Sequence, residues 1–87
     1  MIDLTKHNYV LTRVKDNKQI PCTVVKFIEW NEDGTFKFAH DDPAPGRSIV
    51  LDPGPHGMYS WLTSRITEIV SKTEFKTANS IYYLHSV

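Results

Sequence analysis

Apolar and polar residues alternate with a period of two along most of this chain, which is the pattern of strands in a sheet with one buried face. In "NYVLTRVKD", residues 8–16, positions 9, 11 and 13 alternate with positions 10, 12 and 14, and the β-branched and aromatic side chains favour a strand. The same pattern predicts further strands at residues 19–31 ("QIPCTVVKFIEWN"), 36–39, 48–51, around Phe75, and from residue 81 to the C-terminal end.

Turn-forming residues separate these segments. The tripeptide "DNK" at residues 16–18 predicts one turn, and Ala78-Asn79 predicts the last. Asp33-Gly34 supplies the positive backbone φ of a hairpin, followed by a strand in which Phe36 and Phe38 alternate with Lys37. Pro21 has no N–H for a ladder, so it is expected at the start of its strand or on a sheet edge.

Residues 41–57 contain two Pro- and Gly-rich loops around the 48–51 strand. Both loops are too long for tight hairpin turns. Loops held by a rigid sheet are where binding residues tend to lie, so this region is the first place to search for function.

The segment "GMYSWLTSRITEIV", residues 57–70, fits both a helix and a strand. A helix is suggested by the spacing of four aliphatic residues: Leu62, Ile66, Ile69 and Val70. A strand is favoured by the Trp, Ile, Val, Thr and Ser content and by the lack of alanine. Ser60 is the only plausible N-cap, and no Glu or Gln stands three residues after it. We therefore predict a strand.

This strand assignment determines which side chains share a face. Ile66 and Ile69 would lie on opposite faces of a regular strand, so a bulge near Thr67 is predicted to return Ile69 to the core side. Before that bulge, the period of two places Trp61, Thr63 and Arg65 on one face, and Ser64 and Ile66 on the other.

The tail "WLTSRITEIVSKTEFKTANSIYYL" resembles a pattern in small accessory proteins of large virulent tailed phages, "TS-x-I-x-x-I" followed by "F-x-T-x-N-S-x-Y-x-L". Here the pattern is carried by Thr63, Ser64, Ile66, Ile69, Phe75, Thr77, Asn79, Ser80, Tyr82 and Leu84. The resemblance implies a compact β domain made early in infection, with a role in host takeover or defence evasion. It implies no catalytic residues, and it supports the strand at residues 57–70.

Length and patterning together predict an all-β fold: one domain, residues 1–87, built as a small barrel or strongly bent antiparallel sheet of about five to seven strands. Ten Lys and Arg balance ten Asp and Glu, so the overall field of a general nucleic-acid binder is lacking. The single cysteine, Cys22, excludes an internal disulfide. With no apolar run of roughly 20 residues and no signal-peptide pattern, we expect no membrane association and a cytosolic location. The phage resemblance implies that this is the host cytoplasm.

Two groupings have the residue types of reactive sites without the arrangement that the chemistry needs. His40-Asp41-Asp42 offers metal ligands, together with Asp52 or His56, but matches no metal-site spacing. Asp52, His56 and Ser60 have the composition of a nucleophilic triad, but no nucleophile elbow or oxyanion motif surrounds Ser60. We therefore expect no metal, no cofactor and no catalytic residues, and a small hydrolase is the least favoured class.

Non-catalytic protein binding accounts for more of the sequence, with fewer special assumptions, than the other function classes do, and the phage resemblance makes a host protein the preferred partner. Tyr, Trp and Arg are enriched in interface hot spots, and the predicted contact residues are Tyr59, Trp61 and Arg65, with Arg47 and His56 from the loops before them. The domain would cover a working surface of its target or add an edge strand to it, and the same edge would allow a homodimer. The alternative for Trp61 is core packing.

The second hypothesis is a module that binds or sequesters a nucleotide or nucleic acid. Its stacking faces would come from Trp30, Tyr59, Trp61, Tyr82 and Tyr83, and its phosphate contacts from Lys26, Lys37, Arg47, Arg65, Lys72 and Lys76. The two hypotheses differ in what they require of the fold. A protein inhibitor needs an exposed apolar patch, whereas a nucleotide site needs a pocket where Arg and aromatic groups converge.

Overall fold

The computed structural model describes residues 8–86, which form eight antiparallel strands. They are β1 (Tyr9–Arg13), β2 (Lys18–Cys22), β3 (Val25–Trp30), β4 (Phe36–His40), β5 (Ser48–Leu51), β6 (Trp61–Ile69), β7 (Glu74–Thr77) and β8 (Ile81–Ser86). A 3₁₀ turn spans Pro55–Gly57. The described part of the chain has no helix long and apolar enough to cross a membrane.

The strands form one curled sheet, a half-barrel, in the order β2-β1-β8-β7-β6-β5-β3-β4. The predicted all-β fold with a strongly bent antiparallel sheet is confirmed, and the eight strands slightly exceed the predicted range. The prediction of one continuous strand at residues 19–31 is wrong, because the segment divides at residues 23 and 24 into β2 and β3. The two parts pair with different neighbours, β2 with β1, and β3 with β4 and β5.

Asp52 holds the chain where it crosses from β2 to β3. These strands are consecutive in sequence but lie near opposite ends of the sheet order, so the curl of the sheet brings those ends together. Oδ1 of Asp52 accepts the backbone N–H of Thr23 (2.8 Å) and of Val24 (2.9 Å). The Asp52 N–H donates to the carbonyl of Val24 at 2.9 Å. These bonds satisfy the backbone groups at the interruption between the two strands.

The core lies on the concave face of the half-barrel. Its buried residues are Leu11, Ile20, Cys22, Phe27, Ile49, Leu51, Ile66, Phe75 and Tyr82. Phe27 of β3 meets Phe75 of β7 edge to face, with ring centroids 5.9 Å apart. Cys22 is fully buried, and this desolvation raises the pKa of its thiol to about 11, so little thiolate forms at neutral pH.

Residues 61–69 form a strand, as predicted, and two irregularities control its faces. The register shifts between Ile66 and Glu68 opposite β7, and both Ile66 and Ile69 pack on the core, so the bulge predicted near Thr67 is confirmed. A second shift opposite β5 lies between the pairs Val50↔Leu62 and Ser48↔Arg65.

The second shift corrects the predicted division of faces in β6. Trp61 and Ile66 both pack on the core, although they were expected on opposite faces. Between the pairs Val50↔Leu62 and Ser48↔Arg65, two residues of β6 (63–64) stand opposite one residue of β5 (Ile49). Because of this extra residue, Arg65 pairs with Ser48 and lies on the face opposite to that of Trp61. Thr63 is buried at the irregularity, where its hydroxyl accepts the N–H of Ile49 at 2.9 Å and donates to the Ser64 carbonyl at 2.8 Å.

The β3–β4 hairpin and the position of Pro21 follow the predictions. Gly34 has φ +85°, which the Asp33-Gly34 turn requires, and the N–H of Gly34 donates to the carbonyl of Asn31 at 2.9 Å. Pro21 lies in β2, the edge strand at one end of the sheet, and β4 is the strand at the other end.

Candidate functional site

The outer face of the sheet, opposite the core, carries an apolar groove over β3, β5 and β6. Strand alternation places Val50 on this face, between the core residues Ile49 and Leu51, and it places Ile28 there, next to the core residue Phe27. Leu62 pairs with Val50 and completes the groove floor. Ile28 and Val50 are buried although they do not belong to the core cluster, because they lie beneath the groove walls.

Two walls rise on either side of this floor and enclose about 540 Å³. One wall is formed by Trp30 and Phe36, which pair across the hairpin. The indole N–H of Trp30 donates to the hydroxyl of Ser48 at 2.9 Å, and this bond fixes the ring over the floor. The other wall is the loop after β5, including Met58 and Tyr59. The exposed fractions of Phe36, Met58 and Tyr59 are 60%, 67% and 54%, so both walls present apolar surface to solvent.

The loop that forms the second wall is held in shape by its own backbone. The N–H of Gly54 donates to the carbonyl of Met58 at 2.8 Å, and the N–H of Ser60 donates to the carbonyl of Leu51 at 3.0 Å. His56 has φ +60°, a left-handed conformation that is unusual for a residue other than glycine. Met58 and Tyr59 are therefore presented by a folded loop.

The structure separates the predicted contact residues into different environments. Tyr59 lines the groove, and Arg65 lies on the same outer face, opposite Ser48. Trp61 lies on the core face. His56 is exposed at the 3₁₀ turn but does not line the groove. Arg47 is half-buried, and its guanidinium donates to the Asp42 carbonyl at 2.7 Å, which ties down the loop before β5.

Trp61 packs against the core, and two cations lie close to its ring. The guanidinium of Arg13 lies 5.3 Å from its ring centroid, and the ammonium of Lys18 lies 5.4 Å away. Arg13 also donates to both carboxylate oxygens of Asp16, at 3.0 and 2.6 Å. This hydrogen bonding lowers the pKa of Asp16 to about 2. The buried indole N–H of Trp61 has no hydrogen-bond partner within residues 8–86.

We expect Trp61→Ala to lower the free energy of unfolding by about 2 kcal/mol, because the half-buried ring fills part of the core. Trp61→Phe keeps most of the packing and removes the unpaired N–H, so its stability should stay within about 1 kcal/mol of the original. Urea unfolding followed by circular dichroism measures both. An unchanged stability of Trp61→Ala would show that the ring is not part of the core.

Besides the charged groups around Trp61, a polar cluster lies beside β4, on the core side of the sheet. His40 Nε2 is 2.7 Å from Oε1 of Glu29, and Lys37 Nζ is 3.2 Å from Oε2. The hydrogen bond from His40 and then that from Lys37 lower the pKa of Glu29. Phe38 packs on the His40 ring with centroids 4.7 Å apart. This edge of the sheet is therefore both aromatic and charged.

The residues considered as metal ligands or as a nucleophilic triad form hydrogen bonds or ion pairs with other groups of the fold. His40 contacts Glu29, whereas Asp41 forms an ion pair with Lys26. Ser60 Oγ donates to the carbonyl of Leu51 at 3.2 Å, and Asp52 accepts backbone N–H groups. Within residues 8–86, no three His, Cys, Asp or Glu side chains are grouped closely enough to hold a metal ion.

Sequence reasoning missed Phe36, Met58 and the role of Trp30 as groove residues. Phe36 and Phe38 were predicted on one face, but the register shift between Glu29 and Trp30 places Phe36 opposite Trp30 and Phe38 opposite Glu29. Asp33-Gly34 located the hairpin but carries no signal for a bulge beyond it.

Comparison of the chain with protein-family models, curated proteins and solved structures finds no match.

Proposed function

We propose that this domain is a phage accessory protein that binds and inhibits a host protein, without catalysis, in the host cytoplasm. The phage assignment is motivated by the resemblance at residues 63–84. The binding assignment has separate support, the exposed apolar groove on the outer face of the sheet.

The combination of a buried floor and exposed walls is the observation that carries this proposal. Phe36, Met58 and Tyr59 are each more than half exposed, yet they surround buried Ile28 and Val50. Contiguous apolar surface on a small domain is costly to leave in water and commonly marks an interaction site. Aromatic residues and methionine are also enriched at interfaces, where they supply contact area and adapt to the partner.

The groove favours a protein partner over a nucleotide because its described lining is apolar and holds no cation. Among the described residues that line it, none is a lysine or arginine. Phosphate groups would find no cation there, whereas apolar side chains would find both aromatic and aliphatic surface. Binding would bury both walls and cover the target surface that docks against them, so inhibition needs no reaction.

Nucleotide or nucleic-acid binding remains a second candidate, and the surroundings of Trp61 favour it. There, Arg13 and Lys18 lie against an indole ring, which is a combination that single-stranded nucleic acids bind. The guanidinium of Arg13 is already paired with Asp16, which leaves Lys18 as the main phosphate ligand. This site therefore offers less to a phosphate than the groove offers to a protein.

We expect Met58→Lys to weaken partner binding at least tenfold, because it places a charge on an apolar wall of the groove. Met58 is largely exposed, so the fold should tolerate the change. Val70→Lys is the matched control, since Val70 is also exposed but does not line the groove. The measurement is affinity capture from host cells that express each tagged form, with mass spectrometry of proteins and small molecules.

Support for the proposal requires a host protein that the original and Val70→Lys forms retain, that Met58→Lys loses, and that binds again when both components are purified. Recovery of a nucleotide that depends on Lys18 would favour the second candidate. A host protein retained equally by all three forms would show that the groove is not the interface.

A further inference from the structure

The groove is continuous with an unpaired strand edge. β4 is the last strand of the sheet order, and within residues 8–86 nothing pairs with its outer side. Phe36 and Ala39 belong both to this strand and to the groove lining. An edge strand presents a row of backbone N–H and C=O groups that another extended chain can bind. The adjoining aromatic surface therefore lies beside groups that only a polypeptide backbone fully matches.

The opposite edge of the sheet is less suited to this role. β2 contains Pro21, which has no N–H to donate, and begins at Lys18. Proline and lysine are residues that commonly protect an edge from pairing with another chain. β4 has no proline and carries exposed Phe36 and Phe38, so its protection is limited to one lysine, Lys37, and the register irregularity there.

Charge is unevenly distributed along this edge, although the whole chain is neutral. Residues 29–42 hold five of the ten acidic residues and one of the ten basic residues. Glu32, Asp33 and Asp42 have no Lys or Arg within ion-pair distance in the described part of the chain. Glu32 and Asp33 precede β4, and Asp42 follows it, so carboxylates lie beyond both of its ends.

This charge pattern argues against two occupants. Symmetric pairing of β4 with a second copy would bring two acidic hairpins together, and like charges on directly paired strands repel each other. A nucleic acid would meet the same carboxylates with its phosphates. A polypeptide with basic residues would meet opposite charge at the ends and apolar surface between them.

We infer that the bound partner segment is an extended peptide that pairs with β4 as an added strand. The inference rests on the proposed function and names its ligand. Alternate side chains of the segment, apolar ones, lie over the groove beside Phe36 and Ala39. A Lys or Arg at each end of the segment faces the carboxylates that flank β4. Five residues of β4 span about 17 Å, so about five residues of the partner pair, with the basic residues just beyond them.

Synthetic peptides of three kinds test the inference on the whole protein by fluorescence anisotropy. The first is acetyl-KVFVTVK-amide, and the second replaces both terminal lysines by glutamate. The third keeps the lysines but carries N-methyl groups on alternate residues, in two versions that cover both sets of N–H groups. We expect the lysine peptide to bind at least tenfold more tightly than the glutamate peptide, in a salt-sensitive way. One N-methylated version should lose binding, because it lacks the N–H groups that face β4.

Protein variants locate the charge effect. Glu32→Lys should weaken binding of the lysine peptide several-fold. Glu68→Lys, a substitution at an exposed position of β6, should leave that binding unaltered. Equal binding of the lysine and glutamate peptides, indifference to both N-methylated versions, or no binding of the lysine peptide would overturn the inference. So would a dimer of this chain that pairs through β4 and excludes the peptide.

The outcome is separable from that of the proposed function. If the peptides fail but a captured host protein still depends on Met58, the added strand is wrong and the groove function stands. If the peptides fail and no Met58-dependent partner is captured, both are overturned.

Discussion

Replacing Phe75 by alanine is expected to lower the free energy of unfolding by about 4 kcal/mol, the largest effect of any single substitution considered for this domain. Phe75 is fully buried and packs edge to face on Phe27. The two residues come from strands that are not neighbours in the sheet, so their contact crosses the concave interior. Removing the ring leaves a cavity where the curl of the sheet is filled.

An 87-residue domain has little stability in reserve, so a loss of this size should unfold a large part of the population at 37 °C. Urea unfolding followed by circular dichroism measures the effect. Phe75→Leu keeps most of the volume and should cost about 1.5 kcal/mol. Phe38→Ala is the matched control, because Phe38 is 56% exposed, and it should change stability by less than about 1 kcal/mol. A similar loss in both alanine variants would show that the buried Phe75 ring contributes no more to stability than the exposed Phe38 ring does.

Replacing Asp52 by alanine is expected to cost about 3 kcal/mol, although Asp52 is only half-buried. Its carboxylate accepts the N–H groups of Thr23 and Val24, and no strand pairing replaces those bonds. Its backbone is also left-handed, with φ +50°, which Asp tolerates better than alanine does. The change thus loosens the crossover that joins the two ends of the sheet.

Two further substitutions divide this effect into its causes. Asp52→Asn keeps an acceptor oxygen and a residue suited to the left-handed region, so it should cost only about 1 kcal/mol. Asp52→Gly removes the strain at this φ but not the loss of the hydrogen bonds, so it should lie between the asparagine and alanine variants. Equal stabilities for the alanine and asparagine variants would show that the carboxylate does not hold the crossover. All three are compared by the midpoint and slope of urea unfolding.

The two faces of the half-barrel are used differently. The concave face holds the core, including Phe75 and Trp61, and so determines stability. The outer face carries the groove, where Met58 and Tyr59 contribute exposed surface. Substitutions on the groove walls are therefore expected to separate binding from folding, which substitutions at Trp61 do not.

Local patterns were sufficient for most of the strands. The turn at Asp33-Gly34, the short 48–51 strand and the strand at residues 61–69 all depend on neighbouring residues, whose alternation and turn chemistry are visible in sequence. Even the bulge near Thr67 was predictable, because Ile66 and Ile69 lie three positions apart and both need burial. Tyr59 was identified as a contact residue from composition and does line the groove.

The sequence by itself determined that this chain is an all-β domain, since period-two alternation and turn residues act within a few positions. Only the tertiary structure decided which faces the side chains occupy. A one-residue shift between β5 and β6 separates Trp61 from Arg65, and another between β3 and β4 sends Phe36 to the groove. Such shifts depend on strands distant in sequence, as does the Asp52 contact with Thr23. Because one residue of slip reverses every side chain beyond it, the groove could be located only after the strands were paired.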